Sequence, residues 1–353
     1  MEEKKQKVLL IKLSSLGDVI FNIPLANSLK DAGYEVHWLV SERGIQVIKN
    51  NPCVDKTIFV PMYKWRKKGS IIENFKEFLS ILKQIRAEKY DIAIDTQMMQ
   101  KSFWWLLLCG AKRRITSKKA KELAFLAGNE WVKDVSYNPD GPIVMNYLKF
   151  AQHLGIELQN LKVSLPPRSN HEIQEIDEII TELDKSKPIV VISPATTWNA
   201  KHWNKDNWKT LVWNLAEKCN LIFTGTEKDN ELIQYISNNR GLNLAGKTNL
   251  MELIELYSRA DLVLSPDSGS AHLAWATGKP AIITIFTCTP KNILAPLGNP
   301  KKYIALGGEG LPCQPCFKKH CNFRKHKNVC TNFPNPKIVL DFIQELITLH
   351  NKH

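Results

Sequence analysis

The sequence predicts an α/β protein of two doubly wound, Rossmann-like domains, and three observations predict it. Apolar runs of strand length alternate with amphipathic stretches of helix length in both halves of the chain, a pattern typical of parallel sheets. A proline-rich break at residues 164–169 (SLPPRS) separates the halves. Polar or glycine residues follow several predicted strands, where such sheets bind ligands. The two domains are therefore expected to face each other across a cleft.

The composition supports two domains and limits the class of partner. With 353 residues, of which 44% are hydrophobic, the chain can bury a full core in each domain. The first residues, MEEKKQKVLLIKL, contain no apolar run of signal-peptide or membrane-span length, which predicts a cytoplasmic protein. The formal net charge of +13 favours an acidic partner, and by itself it leaves nucleic acid, an anionic membrane surface and a phosphorylated substrate open.

The first predicted domain covers residues 1–165. Strands are expected at residues 8–13, 35–40, 57–60 and 91–95. Helices are expected from about residue 19 to 32, in a stretch ending near residue 50, and from about residue 71 to 88. Gly33 is a stop signal for the first of these helices.

The second predicted domain covers residues 166–334, with strands at 188–192, 221–224, 262–264 and 281–286. It includes a cysteine-rich segment at residues 313–330. The last part of the chain, residues 335–353, is predicted to form an amphipathic helix from 336 to about 349 that packs back on the N-terminal domain.

The turn at residues 265–280, SPDSGSAHLAWATGKP, is the most informative motif. Its small residues let backbone N–H groups face a bound anion, which the positive end of the following helix favours. A diphosphate suits this arrangement. The alternative is an ordinary turn in which Asp267 or Ser268 caps the helix.

Polar residues also follow other predicted strands. Asp18 follows the first strand in the segment SSLGD, Thr196 and Thr197 lie in TTWNAKHW, and Gly225 follows the strand at 221–224. With Asp267 in the turn at 265–280, four strand ends carry such residues. Because the carboxyl ends of parallel strands lie at one edge of a sheet, the four together indicate a ligand site better than any single motif.

Three segments taken together resemble the ADP-heptose:lipopolysaccharide heptosyltransferases, glycosyltransferase family 9. They are residues 11–20 (IKLSSLGDVI), 195–203 (ATTWNAKHW) and 265–274 (SPDSGSAHLA). The first two are most similar to the heptosyltransferase I branch, which adds the first heptose. The resemblance implies a GT-B fold with the acceptor on the first domain, the nucleotide sugar on the second, and inverting transfer without a metal ion or other cofactor.

The resemblance implies two catalytic residues. Asp18 would take the proton from the attacking acceptor hydroxyl, a general-base step that contributes roughly 10²- to 10⁴-fold; the alternative is that it caps the helix beginning near residue 19. Lys201 would neutralise charge on the departing ADP. Its alternative is a solvated surface lysine, although Trp198 and Trp203 beside it favour partial burial.

The donor-binding residues implied by the resemblance share a position beyond strands of the second domain. They are Thr196, Thr197, Glu227, Asp267, Ser268, Gly269, Ser270, Ala271 and His272. Glu227 would accept hydrogen bonds from ribose hydroxyls, and a solvated loop acid is the alternative. His272 would contact the diphosphate, and a hydrogen-bonded core histidine is equally open.

The acceptor-binding residues expected in the first domain are polar or cationic. They are Ser14, Ser15, Gly17, Lys64, Arg66, Lys67, Gln97, Lys101 and Lys121. Two basic runs, at residues 64–68 and 112–121, match the multiply anionic, lipid-linked acceptor that the resemblance implies. They would also attract the anionic inner leaflet, which predicts a peripheral protein on the cytoplasmic face of the inner membrane. Solubilising surface charge is the alternative for many of them.

Two segments depart from the family pattern or extend it. Residues 287–290 (TCTP) stand where many members have a glycine-proline-threonine-aspartate turn, so a donor contact from that aspartate does not transfer to this chain. Four cysteines follow in the segment at 313–330, namely Cys313, Cys316, Cys321 and Cys330, interleaved with His320 and His326. Their spacing could suit a structural zinc, and redox chemistry or plain packing is as good an interpretation.

The expected function is transfer of heptose from ADP-L-glycero-D-manno-heptose to the inner core of lipopolysaccharide, either Kdo-lipid A or heptosylated core. Another nucleotide sugar or a later core acceptor is the alternative within enzymes. A basic nucleic-acid-binding protein is the alternative from another class. No RNA-recognition or zinc-finger pattern supports it, so no nucleic-acid partner is expected.

Overall fold

The computed structural model describes residues 5–67, 70–158, 161–308, 310–322 and 327–350, without the side chains of 348–350. The chain divides into two units, Met1–Pro167 and Arg168–His353. The division lies two residues beyond the boundary predicted at residue 165, within the proline-containing break. Proline fixes its own backbone and removes a hydrogen-bond donor, so regular structure stops there.

The first unit contains one parallel sheet. Its strands are β1 (Lys7–Ile11), β2 (Glu35–Ser41), β3 (Lys56–Val60), β4 (Ile92–Asp95), β5 (Arg113–Thr116) and β6 (Glu130–Trp131). They lie in the order β3-β2-β1-β4-β5-β6. Strand order therefore reverses between β1 and β4, and a crevice at such a reversal is where doubly wound sheets bind ligands.

Helices cover this sheet. They are α1 (Leu16–Asp31), α2 (Ile45–Ile48), α3 (Met62–Arg66), α4 (Ile71–Ala87), α5 (Gln100–Leu108) and α6 (Ile143–His153), with a 3₁₀ turn at Ala124–Ala127. Side chains of α4 and α5 pack on β1, β2 and β3 in one buried cluster that includes Ile11, Ile85 and Trp105. Helix α1 packs on α6. Apolar burial of this kind, at about 25 cal/mol per Å², is what stabilises the unit.

The second unit repeats the same topology. Its strands are β7 (Ile189–Ile192), β8 (Asn220–Phe223), β9 (Leu242–Asn243), β10 (Leu262–Pro266), β11 (Ala281–Phe286) and β12 (Tyr303–Gly307), in the order β12-β11-β10-β7-β8-β9. The reversal lies between β7 and β10. All the paired strands are parallel, so the predicted α/β class with two doubly wound sheets is confirmed.

The helices of the second unit connect these strands. They are α7 (Asn170–Thr181), α8 (Lys205–Leu215), α9 (Asn230–Ser237), α10 (Leu250–Arg259), α11 (Gly269–Thr277), α12 (Lys291–Leu294) and α13 (Pro336–His350). Short 3₁₀ turns lie at Asn199–Lys201, Glu227–Asp229 and Val329–Asn332.

The closing helix, α13, differs from its predicted position. We expected it to pack on the N-terminal domain. Instead Val339 and Ile343 are fully buried in the core of the second unit, in the cluster that contains Trp208 and Leu211 of α8. Trp203 also donates a hydrogen bond from Nε1 to the carbonyl of Pro334, 3.0 Å away. The apolar face of α13 is therefore satisfied within its own unit.

Four strands were not predicted, namely β5, β6, β9 and β12. β5 has the sequence RRIT and β6 and β9 have two residues each, so neither apolar runs nor alternation mark them. Partners already in the sheet supply their hydrogen bonds.

Within the described part of the chain, no helix is both long enough and apolar enough to span a membrane.

Candidate active site

Asp18 lies in the first turn of α1, beyond the carboxyl end of β1. The N-cap residue is Ser15, and its backbone N and Oγ donate to Asp18 Oδ2 at 3.1 and 2.8 Å. The alternative capping role is therefore real, because Asp18 completes a capping box with Ser15. The second carboxylate oxygen, Oδ1, is not part of that box. About a third of the side chain, 36%, is exposed, so a substrate can reach it.

A buried lysine stands behind Asp18. Lys12 is 2% exposed, and its Nζ donates to the hydroxyl of Tyr147 at 2.8 Å and to the carbonyl of Thr96 at 3.1 Å. The Tyr147 hydroxyl in turn donates to Asp18 Oδ1 at 3.4 Å. Lys12 Nζ is 3.9 Å from the same oxygen. A chain of lysine, tyrosine and carboxylate therefore ends at Oδ1 of Asp18.

These neighbours set the protonation of Asp18. Burial alone would raise the pKa of Asp18, but the charge of Lys12 and the hydrogen bonds from Ser15 outweigh it, and the pKa is lowered. Burial also lowers the pKa of Lys12 and raises the pKa of Tyr147. Asp18 is thus an anion at neutral pH, the form that a general base requires.

The loop after β4 fixes the other side of this position. Gln97 Oε1 accepts from the backbone N of Leu13 and of Ser14, each at 3.1 Å. Buried Asp95 accepts from the backbone N of Gln97 at 2.9 Å. Burial raises the pKa of Asp95 to about 6. Gln97, predicted as an acceptor-binding residue, therefore acts in this structure as the link between the loops that follow β1 and β4.

Lys101 adds a cation at the same place. Its Nζ donates to Ser14 Oγ at 2.7 Å, and its charge acts on Asp18. The structure therefore brings two predicted acceptor-binding residues, Ser14 and Lys101, close to Asp18. Burial, followed by the positive charges of Lys12 and Arg66, lowers the pKa of Lys101 to about 8. The charge of this lysine is consequently sensitive to pH in the range where enzymes are assayed.

The remaining basic candidates differ in position. Lys64 is paired with Glu77 at 3.0 Å, so part of its charge is compensated locally. Lys121 lies with Nζ 4.1 Å from the centre of the Tyr137 ring. Lys67 is exposed, and Lys68 lies outside the described residues. The predicted acceptor set is therefore gathered mainly around Ser14, with Lys64 turned to an internal partner.

In the second unit, three polar side chains meet around one buried carboxylate. Asp267, 2% exposed, follows β10. Its Oδ2 is 2.6 Å from Lys201 Nζ and accepts from Thr289 Oγ1 at 2.7 Å, while its Oδ1 is 3.4 Å from His272 Nε2. Burial opposes its charge, yet hydrogen bonding from His272 and the Lys201 ammonium hold the pKa of Asp267 well below its usual value. Asp267 therefore orients two donor-site candidates.

Lys201 is held by its surroundings as well as by Asp267. It ends the 3₁₀ turn Asn199–Lys201, whose Ala200 carbonyl accepts from Thr287 Oγ1 at 2.6 Å. Its Nζ lies 4.8 Å from the centre of the Trp198 ring. The side chain is 16% exposed. The partly buried setting that the flanking tryptophans predicted is thus observed, and the solvated surface alternative is not.

The first turn of α11 forms the wall beside this cluster. Ser268 is the N-cap, and its Oγ accepts from the backbone N of Ser270 at 3.2 Å. Gly269 and Ala271 complete the first turn of the helix. A nine-residue helix concentrates positive potential at this end. The Ser268 oxygen accepts from one backbone N–H of this turn and so does not occupy the others. The capping alternative and the anion-binding hypothesis are therefore compatible.

Three further donor candidates lie at neighbouring strand ends. Thr196 and Thr197 follow β7, and the Thr196 carbonyl is 2.9 Å from His202 Nε2. Glu227 follows β8 in an exposed 3₁₀ turn. All the donor candidates therefore lie at the carboxyl edge of the second sheet, on both sides of its order reversal.

The cysteine-rich segment at residues 313–330 contacts the 3₁₀ turn that carries Lys201. The backbone N of Ala200 donates a hydrogen bond to the carbonyl oxygen of Lys319 at 3.1 Å. A cavity of about 100 Å³ lies between this turn and the cysteine-rich segment. It is lined in part by Ala200, Cys288, Cys313, Cys316, Cys321 and Cys330.

Among the described residues, no three of these thiols have sulfur atoms within 4.8 Å of one another. Tetrahedral zinc with 2.3 Å bonds needs sulfur atoms about 3.8 Å apart. Within the described residues, the ligand atoms of three His, Cys, Asp or Glu side chains come within 4.8 Å of one another only at Glu35, His37 and Glu88, where lysines already pair with the carboxylates. Burial raises the pKa of Cys288 to about 12 and that of Cys330 to about 11. His326 lies outside the described residues.

Several functional residues were missed from the sequence. Lys12 had a signal, because a lysine inside the apolar run LLIKL has to find a buried partner. Tyr147 and Thr289 had none, since tyrosine and threonine are ordinary in helices and strands. Their roles arise from side chains 129 and 22 residues away in sequence.

Several known proteins are similar to this chain in sequence and in fold. The model of the family described as glycosyltransferase family 9 (heptosyltransferase) matches residues 78–327. Lipopolysaccharide core heptosyltransferase OpsX of Haemophilus influenzae is 28% identical over 79% of each chain. Lipopolysaccharide heptosyltransferase 1 of Pseudomonas aeruginosa is 25% identical over 90% of this chain and 88% of its own. The structure of Escherichia coli heptosyltransferase WaaC with ADP superimposes with a TM-score of 0.72 at 22% identity, covering 97% and 100% of the two chains.

Proposed function

Because this chain belongs to glycosyltransferase family 9, we propose that it transfers heptose from ADP-L-glycero-D-manno-heptose to the inner core of lipopolysaccharide. The protein is a glycosyltransferase of GT-B fold, and its relatives support heptose transfer in lipopolysaccharide core assembly. Inversion at the anomeric carbon, the identity of the donor and the acceptor hydroxyl are the finer parts of the proposal.

One observation carries the proposal most directly. The Asp18 side chain is 36% exposed, while Ser15 holds its Oδ2 and the charge of buried Lys12 keeps the carboxylate anionic. An inverting transfer needs such a base, since the acceptor oxygen loses its proton as it attacks the anomeric carbon. Lys101 and Ser14 beside Asp18 supply donors for an anionic acceptor.

The second unit supplies what the leaving group needs. As the bond to the sugar breaks, negative charge develops on the departing ADP. The Lys201 ammonium and the partial positive charge at the amino end of α11 both favour a bound diphosphate. Because Lys201 supplies a fixed positive charge, we expect no metal ion or other cofactor to be required. For transfer, the acceptor hydroxyl held at Asp18 has to reach the anomeric carbon of the donor held at Lys201.

The proposal is tested by mass spectrometry of the product formed from ADP-heptose and purified Kdo-lipid A. We expect the mass of one heptose to be added, with release of ADP, in chelator as in its absence. Calorimetry with ADP, UDP and GDP identifies the donor base, and only ADP should bind tightly. Heptose transfer solely to a heptosylated core would assign a later acceptor. Binding of RNA or DNA that weakens steeply with salt, without transfer, would favour the nucleic-acid alternative.

The basic surface of the first unit favours a position of the protein at an anionic membrane. The proposed acceptor is embedded in a membrane, and cations near an anionic bilayer contribute about 1 kcal/mol each to attraction. We propose that the protein works on the cytoplasmic face of the inner membrane, in transient contact with it.

The pH dependence of acceptor binding should show the contribution of the Lys101 ammonium. Its pKa of about 8 means that the ammonium is present below pH 8 and is lost as pH rises through that value. The KM for an anionic acceptor should therefore rise between pH 7 and 9, whereas this group leaves the KM for the donor unchanged. In Lys101→Gln the KM should be high throughout and this rise should disappear. The control Lys112→Gln should keep the rise in acceptor KM. If Lys101→Gln keeps it as well, Lys101 is not its source.

Removing the charge behind Asp18 should shift the acid limb of activity. Lys12 lowers the pKa of Asp18, so in Lys12→Met the carboxylate should protonate at a higher pH and kcat/KM should begin to fall earlier on acidification. The lost hydrogen bonds should reduce kcat/KM roughly tenfold or more. Lys7, at the other end of β1, is the control, and Lys7→Met should leave the pH profile in place. If the pH profile of Lys12→Met is identical to that of wild type, Lys12 does not set the pKa of Asp18.

A further inference from the structure

The amino-terminal part of α4 carries apolar side chains that the fold leaves in water. Ile71, Ile72, Phe75 and Leu79 are 87%, 67%, 58% and 45% exposed. Residues 71, 75 and 79 are spaced by four, so they lie on one side of the helix. We call these four residues the α4 apolar face. A surface helix normally turns such a stripe toward the core.

The same helix already has a core-facing side. Ile81, Leu82 and Ile85 are buried in the cluster on β1 to β3, and they attach the carboxyl-terminal half of α4 to the sheet. The α4 apolar face is therefore not needed to hold the helix in place. Contiguous exposed apolar side chains of this kind mark a surface that binds something.

The charges around the face are mainly positive. Residues 64–67 and 70–86 contain six Lys or Arg and two Glu. One of the acids, Glu77, is already bonded within the unit, to Lys64 Nζ at 3.0 Å and to Trp65 Nε1 at 2.8 Å. Arg66, Lys67, Lys76, Lys83 and Arg86 are exposed. The partner that fits is apolar inside and anionic at its surface.

The face also adjoins the acceptor residues. Helix α3 is tied to α4 through Trp65 and Glu77, and Phe78 of α4 contacts Trp105 of α5, with ring centres 4.6 Å apart. Arg66, the last residue of α3, is close enough that its charge lowers the pKa of Lys101. Lys101 bonds Ser14 in the loop that carries Asp18. A surface on α3 and α4 is thus continuous with the site that receives the acceptor.

We infer that the α4 apolar face is the surface by which this protein docks on an anionic lipid bilayer. The inference rests on the proposed function, because a lipid-linked acceptor lies in such a bilayer. Isoleucine and phenylalanine enter the boundary between headgroups and acyl chains, and the neighbouring lysines and arginines pair with lipid phosphates. Docking there keeps the acceptor headgroup at the height of Lys101 and Asp18.

The test uses the full chain and two variants, Ile72→Glu and Phe75→Glu. Both positions are exposed, so neither change removes a core contact, and circular dichroism checks the fold. Leu126→Glu is the control, since Leu126 lies in the same unit and is 56% exposed, close to the 58% of Phe75. Binding is measured by sedimentation with vesicles of phosphatidylglycerol and phosphatidylethanolamine, and with vesicles of phosphatidylcholine alone.

We expect wild type and Leu126→Glu to bind the anionic vesicles and to bind phosphatidylcholine weakly. Each α4 variant should bind the anionic vesicles roughly tenfold or more weakly. Their transfer to vesicle-embedded acceptor should fall in parallel, while transfer to a de-acylated, water-soluble acceptor stays at the wild-type rate.

Three results would overturn the inference. The α4 variants could bind anionic vesicles as tightly as wild type, or the control could lose binding equally. They could also keep vesicle binding while the sedimentation mass of the protein changes, which would assign the face to a second copy of the chain. Absence of heptose transfer to both acceptors, with vesicle binding still lost in the α4 variants, would refute the proposed function and leave the docking surface intact.

Discussion

Replacing Asp18 by asparagine should lower the rate of heptose transfer by roughly 10²- to 10⁴-fold, the contribution of a positioned general base. Asparagine has the same shape and retains an oxygen that can accept from the backbone N of Ser15. It is not basic enough to take a proton from the acceptor hydroxyl. Steady-state kinetics with ADP-heptose should therefore show a fall in kcat, and calorimetry should show nearly unchanged affinity for ADP.

The capping role of Asp18 makes a control necessary. Ser15→Ala removes the other side chain of the capping box while leaving the carboxylate, and loss of such a cap costs about 0.5–2 kcal/mol of stability. If Asp18 is only a capping residue, Asp18→Asn and Ser15→Ala should reduce Tm and activity alike. A fall in ADP affinity in Asp18→Asn would likewise indicate a structural role. The proposal requires that Asp18→Asn lose far more activity than Ser15→Ala at similar stability.

Replacing Lys201 by methionine should give the second largest loss, roughly 10²- to 10³-fold in kcat, the range found when one group that stabilises a developing negative charge is removed. Its ammonium is the cation nearest the Asp267 carboxylate, at 2.6 Å, and the departing diphosphate requires such a charge. The measurement is single-turnover transfer at saturating donor, which isolates the chemical step from donor binding.

The same change leaves Asp267 buried with fewer partners. Breaking a buried ion pair from one side costs about 3–5 kcal/mol, so Lys201→Met could lose activity through lost stability alone. The double variant Lys201→Met/Asp267→Asn removes both charges and should recover most of that stability in a urea titration. We expect it to stay inactive. Recovery of activity in the double variant would mean that Lys201 serves only to neutralise Asp267.

The fold could be predicted to the extent that its signals are local. The strands from β1 to β4, and β7, β8, β10 and β11, are apolar runs bounded by turn residues, and the alternation with helices indicates a parallel sheet. Of the strands that were not predicted, β5 (RRIT) is too polar and β6 and β9 are too short to carry such a signal, whereas β12 (YIALG) is itself an apolar run. They exist because a neighbouring strand offers unpaired backbone groups.

The candidate site could be predicted residue by residue but not as an arrangement. Lys201, Asp267 and His272 were each assigned to the donor through the family resemblance. Their mutual contacts, and the addition of Thr289, could not be anticipated. Similarly, the sequence leaves Asp18 as either a base or a cap, and the structure shows a capping residue whose side chain is still 36% exposed.

The sequence by itself determined the class of this protein, its division near residue 165 and the strand ends at which its polar residues gather. Periodicity, proline and glycine act within a few residues, and therefore they can be interpreted without a structure. Only the tertiary structure decided that Lys12 and Tyr147 stand behind Asp18, that α13 packs in the second unit, and that the α4 apolar face remains in water. Each of these depends on packing between segments distant in the chain, where burial and charge are properties of the neighbours a residue acquires on folding.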